Sequence, residues 1–116
     1  MPATVIFGIS NCDTVKKART WLDKHNIDYQ FHDFRRDGLT EKQIKQWLQK
    51  VELDLLLNKR SRTWRELSDS DKSNVTESKA IKLMLKQPSL IKRPVLVNGK
   101  EITVGFDPKR YQSLFS

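Results

Sequence analysis

The chain of 116 residues has one cysteine, two histidines, four glycines and four prolines, and each scarcity excludes something. A single cysteine cannot form an internal disulfide, and it cannot supply the several thiolates of a structural zinc site, so any disulfide must be with another molecule. His25 and His32 have neither a metal-ligand spacing nor a Cys-His pairing, and no metal site is expected. No low-complexity tract, linker or internal repeat interrupts the chain. No apolar run approaches the roughly 18 residues that a membrane span requires. The N-terminus lacks a basic segment followed by an apolar run and a small-residue cleavage site, so the expectation is a cytoplasmic protein with no membrane contact.

What the chain does have is charge. A net charge of +8 accompanies 37% hydrophobic residues, enough for one modest core and one domain spanning 1–116. The basic excess predicts attraction to anions without choosing among oxyanions, nucleotides, glutathione, nucleic acid and acidic protein surfaces. Thr4 to Ile9 is a β-branched and aromatic run suited to a buried strand, and Val15, Ala18 and Leu22 then set an amphipathic helix beginning at or just after Cys12. Tyr29 to Phe34 alternates as a second strand, and Arg35 to Gly38 reads as a turn. Thr40 with Gln43 matches a capping box ahead of Ile44, Trp47, Leu48 and Val51 at helical spacing. From Leu53 to Gln87 there is no strand pattern; short helices are expected around 54–57, 63–67 and 69–75, and a longer one over 77–87. Val95 to Val97 and Ile102 to Val104 flank Asn98-Gly99, a strong hairpin signal, and Asp107-Pro108 opens a last helix. The order predicts an α/β chain with a thioredoxin-like fold: a four-stranded mixed sheet with an inserted helical subdomain at about 40–87.

Cys12 stands where a strand meets a helix N-terminus, and unpaired N–H groups with the positive end of a helix dipole favour a thiolate there. A thiol so placed ionises more readily than a free one and becomes a usable nucleophile. Lys16 and Lys17 add positive charge nearby. Pro94, in Lys92-Arg93-Pro94-Val95, opens the third strand, where it is either an ordinary edge proline or a cis turn beside the site. Lys59 to Arg65 is the densest basic patch, able to hold an oxyanion, to lie on a phosphate backbone or simply to be a solvated helix start. His25, His32 and the three tryptophans read as structural.

The stretches Phe7 to Ala18, Leu56 to Ser61 and Ile91 to Val97, with Phe31 to Arg35 between the first two, resemble the arsenate reductase family that includes ArsC, Spx and YffB. The resemblance spans essentially the whole chain and is strongest to YffB-type members. It implies a thioredoxin fold with a helical insert, Cys12 as nucleophile, anion-binding arginines at Arg60 and Arg93, and a cis Pro94. Asn11 and Lys16 complete the expected substrate-binding set. The implied activity is a glutathione-dependent monothiol reductase, with Cys12 attacking a disulfide, a glutathione mixed disulfide or an oxyanion. Because one thiol needs an external resolving thiol, glutathione or a glutaredoxin-type protein is the expected partner; no bound cofactor is expected, and the chain is expected to be a monomer. Lys16 stands where arsenate reductases place an arginine, and Val104 to Pro108 lacks their third substrate arginine, which argues against arsenate itself. The alternative is a non-catalytic Spx-like regulator binding RNA polymerase, although Val15 removes the Cys-x-x-Cys switch common in Spx proteins. Direct nucleic-acid binding ranks last.

Overall fold

A computed structural model describes residues 3–116; Met1 and Pro2 lie outside the described residues. The elements are β1 (Thr4–Gly8), α1 (Asp13–Lys24), β2 (Gln30–Asp33), α2 (Phe34–Asp37), α3 (Glu41–Leu48), α4 (Leu53–Leu56), α5 (Arg62–Arg65), α6 (Asp69–Lys72), α7 (Glu77–Lys86), a 3-10 turn (Pro88–Leu90), β3 (Val95–Asn98), β4 (Glu101–Val104) and α8 (Pro108–Phe115). The backbone divides into two units, one running to Gly38 and resuming over Arg93–Ser116, the other Leu39–Lys92.

The first unit holds a four-stranded mixed sheet in the order β2-β1-β3-β4. Strand β1 pairs in parallel with β2, Gly8 opposite Asp33, and antiparallel with β3, Phe7 opposite Val95; β4 closes the sheet antiparallel to β3. This is the expected α/β, thioredoxin-like arrangement. Ile6 and Leu96 are register partners, and α1 lays Ala18 and Leu22 in one core cluster with them while α8 adds Tyr111. Burying each of the larger aliphatic side chains stabilises by roughly 1.5–3 kcal/mol. Trp21 and Phe106 meet the Tyr111 ring edge-on at 5.5 and 4.9 Å.

Two local expectations are corrected here. Gly99 and Lys100, not Asn98 and Gly99, form the hairpin turn: Asn98 stays in the ladder opposite Glu101, and its Oδ1 accepts from Thr4 Oγ1 at 3.0 Å. Only the first central residue, Gly99 at φ 61°, has positive φ, the mark of a type II′ turn. Residues 35–38, expected as a plain turn, belong mostly to α2, a four-residue helix whose first N–H groups are accepted by Asp33.

In the second unit, α3 begins at the full capping box: Gln43 N–H donates to Thr40 Oγ1 at 3.1 Å and Thr40 N–H to Gln43 Oε1 at 2.9 Å. Helix α3 packs on α7, with Ile44, Trp47, Ala80, Ile81 and Met84 buried. Ser61, Ser68 and Thr76 cap α5, α6 and α7 by accepting an N–H three residues on. Leu53 to Gln87 showed no strand pattern, yet Leu57 bridges Ile91 antiparallel, with Asn58 N–H to Leu90 O at 2.7 Å and Lys92 N–H to Leu56 O at 2.8 Å. That pairing carries the unit to Lys92. Among the described residues no helix is long and apolar enough to cross a membrane.

Candidate active site

Strand β1 delivers the chain to a tight turn, Ile9 to Cys12, closed by Cys12 N–H donating to Ile9 O at 3.4 Å, with Ser10 and Asn11 exposed at its corners. Cys12 is then the N-cap of α1, in extended conformation at φ −101° and ψ 124°, and its carbonyl accepts the first helical bond from Lys16 N–H at 3.0 Å. No side chain caps this end. A serine, threonine or aspartate at that position would accept one of the orphan N–H groups; the sulfur of Cys12 leaves them available to an anion, at the positive pole of a 12-residue helix. The thiol is free and half-buried, and Lys16 is exposed one turn along.

Helix α1 can approach β1 this closely because Gly8 has no side chain: a Cβ there would lie 2.7 Å from Val15 Cγ2. On the other side of β1, antiparallel pairing brings the segment before β3 to the same sheet end as the Cys12 turn. The Arg93–Pro94 peptide is cis, and Pro94 O accepts Gly105 N–H at 2.8 Å. The Arg93 side chain is half-buried, and its Nε and Nη1 are buried with no hydrogen-bond partner. Leaving charged donors unsatisfied is costly, so the guanidinium is suited to an incoming oxyanion or carboxylate, which it can grip with two parallel bonds.

Asp33, one position of the alternating pattern of β2, sits buried at this end of the sheet. Burial pushes its carboxyl up, but the N–H groups of Arg35, Arg36 and Ser10 and the charge of Arg36 outweigh that, so the carboxyl lies below its ordinary value. The signal that could have found it is its position one residue ahead of a helical turn, where aspartate is a preferred cap. Next to it, Asp37 is held by Arg36 at 2.8 Å, which lowers its carboxyl to about 2.

Arg60 belongs to the second unit. It is exposed, its N–H donates to Asn58 Oδ1 at 3.1 Å, and it lines an open cavity of about 520 Å³ with Lys59, Lys92, Asp54, Leu55 and Leu57. Lys59 is engaged by Asp54 at 3.6 Å and lies over the Trp64 ring, and Arg62 is paired with Glu66 at 2.8 Å, so two of the four cations of the patch each face an acidic neighbour. Both histidines are bonded structurally: His25 Nδ1 to Trp21 O at 2.8 Å, His32 Nε2 to Gly38 O at 2.7 Å. Among the described residues no group of three or more His, Cys, Asp or Glu could hold a metal ion.

The ArsC family model matches residues 7–114 of this chain. An uncharacterized protein of Haemophilus influenzae is 41% identical over 111 residues, 96% of this chain and 97% of its own length. The global transcriptional regulator Spx of Streptococcus pyogenes serotype M3 is 29% identical over 113 residues, 96% of this chain and 84% of that protein. Among solved structures, a YFFB protein superposes with a TM-score of 0.94 at 43% identity, covering 97% of this chain and 99% of that one.

Proposed function

Since the chain belongs to the ArsC family, we propose that it is a glutathione-dependent monothiol reductase with Cys12 as its nucleophile. The observation that supports this most is the uncapped start of α1 beneath a free thiol, at the same sheet end as a guanidinium whose buried donors have no partner. The Cys12 thiolate attacks the glutathione sulfur of a mixed disulfide; that S–S bond breaks, and the target leaves as a thiolate that takes a proton from solvent. A second glutathione thiolate then attacks the Cys12–glutathione disulfide, releasing oxidised glutathione and restoring Cys12. One disulfide is consumed and one is formed, with the second glutathione as reductant. A chain with one cysteine requires this external thiol, whether free glutathione or a glutaredoxin-type protein. Arg93, Lys16 and Asn11 are the proposed contacts for the carboxylates of glutathione, and Arg60 is the proposed anion-binding residue of the second unit. Lys16 offers a point charge where arsenate reductases place a guanidinium fork, which argues against arsenate as the substrate.

Incubation with oxidised glutathione, followed by mass spectrometry, tests the proposal. One glutathione should add to Cys12, leave on treatment with excess thiol, and be absent from Cys12→Ser. No adduct, or an adduct forming no faster than on the urea-unfolded chain, would defeat it.

The 29% identity with Spx favours a second reading, a non-catalytic regulator that binds RNA polymerase. Polymerase recovered equally by the native chain and by Cys12→Ser would support that reading, and recovery by neither would remove it.

A further inference from the structure

Strand β2 is an edge of the sheet: β1 lies on one side of it and, among the described residues, no strand lies on the other. An open edge offers a row of backbone N–H and C=O groups that another chain can pair with. Here two of those groups are taken by side chains of α2, the helix that follows. Arg36 Nη2 donates to Phe31 O at 3.2 Å, and the Asp33 N–H donates to Asp37 Oδ2 at 3.0 Å. The same Nη2 donates to the same Oδ2 at 2.8 Å, and Arg36 Nε adds bonds of 3.1 and 3.2 Å to the two carboxylate oxygens. The C=O of one residue and the N–H of the residue two further on face the same side of a strand, and in a parallel ladder a single residue of the neighbouring strand engages both. The Arg36–Asp37 pair therefore takes the place of one residue of a neighbouring strand, its guanidinium standing for an N–H and its carboxylate for a C=O. An exposed ion pair contributes little to stability by itself, and the Arg36 side chain is 65% exposed, so the larger consequence of the arrangement is that the edge is occupied.

We propose that the Arg36–Asp37 pair is an edge lock: it holds the outward backbone groups of β2 and so prevents β2 from pairing with the β2 strand of a second copy of this chain. A second copy is the occupant that the residues around the strand fit. Asp28 precedes β2 and Arg35 follows it, both exposed. Antiparallel pairing about a two-fold axis would set the start of one strand beside the end of the other, acid against base. The strand is four residues long, so each copy offers the other an edge of equal length. The lock closes within one molecule, whereas pairing of two copies costs translational and rotational freedom, so the single chain is favoured while the pair is intact. Removing the pair leaves Phe31 O and the Asp33 N–H open to a second strand.

The full chain is compared with a double variant, Arg36→Ala with Asp37→Ala, which keeps the net charge of +8 and so leaves the overall repulsion between copies as it was. In sedimentation velocity the variant should self-associate at least about tenfold more tightly than wild type, as expected when two ladder bonds become available on each copy. Amide hydrogen exchange locates the contact. The wild-type Asp33 amide should be protected at every concentration; in the variant it should exchange fast when dilute and slowly when concentrated, with circular dichroism unchanged. A folded variant that associates no more tightly than wild type overturns the proposal, and so does association that leaves the Asp33 amide unprotected. An unprotected Asp33 amide in wild type overturns it too, because the lock would then be open in solution. Should the double variant not fold, Asp37→Ala, which frees the Asp33 N–H alone, takes its place under the same two measurements.

Discussion

Replacing Gly8 with alanine adds one carbon where the structure has no room for it. The new Cβ would stand 2.7 Å from Val15 Cγ2 and 3.4 Å from Cγ1. Val15 is fully buried, and a β-branched residue inside a helix has essentially one χ1 rotamer, so it cannot turn aside. Gly8 is not among the positive-φ residues, so alanine suffers no backbone strain and the effect isolates the contact. Overpacking of this kind costs about 1–3 kcal/mol, against which alanine recovers about 0.5–1 kcal/mol by stiffening the unfolded chain. A 2.7 Å contact on a side chain that cannot turn lies toward the upper end of that range, about 2–3 kcal/mol. The net loss is then about 1–2.5 kcal/mol, and at about 4 °C per kcal/mol for a chain of this size Tm falls by about 4–10 °C. Thermal unfolding measures it. Combining Gly8→Ala with Val15→Ala removes both γ-methyls, so the double variant should lose less than the sum of the two by about 1 kcal/mol. Because Val15 is the third residue of α1, displacing it also shifts the helix start, and alkylation of Cys12 should slow in Gly8→Ala. A Gly8→Ala chain as stable as wild type, or strictly additive behaviour with Val15→Ala, would refute the claim that this approach sets α1 against β1.

Arg93→Met removes the guanidinium whose Nε and Nη1 lack partners, and the reaction with oxidised glutathione should slow by about 10- to 100-fold, as expected for bonds to charged groups worth about 1.5–3 kcal/mol. In wild type, sulfate should raise Tm above a chloride control of equal ionic strength, and in Arg93→Met the excess should shrink to the general stabilisation that an excluded anion gives any fold; an unchanged rate and an unchanged sulfate effect would refute this role. In the second unit, Thr40→Ala deletes the acceptor for Gln43 N–H and should cost about 1 kcal/mol in urea unfolding, with Thr40→Ser retaining most of it; equal midpoints would show that the box contributes nothing.

Much of the fold is written locally. The β-branched run of β1, the helical spacing of Val15, Ala18 and Leu22, the Thr40 capping box and the Asp107-Pro108 helix start each depend on residues a few positions apart, so their physics is readable in one dimension. Cys12 was legible for the same reason: a strand that runs straight into a helix leaves its junction residue at a helix N-terminus. Contacts between distant segments were not. Asn98-Gly99 marked where the chain reverses, but the bond from Thr4 Oγ1 and the ladder with Glu101 decided that Gly99 and Lys100 make the turn. The pairing of Leu57 with Ile91 is a single bridge with no period to betray it. What the amino-acid order determined by itself was the sequence of elements and the thiol at the head of α1. Tertiary structure alone decided that Arg93 has buried donors without partners, that Asp33 is buried beside the thiol's turn and that Gly8 lies within contact of Val15. Burial and hydrogen-bond satisfaction belong to everything surrounding an atom, and those surroundings exist only once the chain has folded.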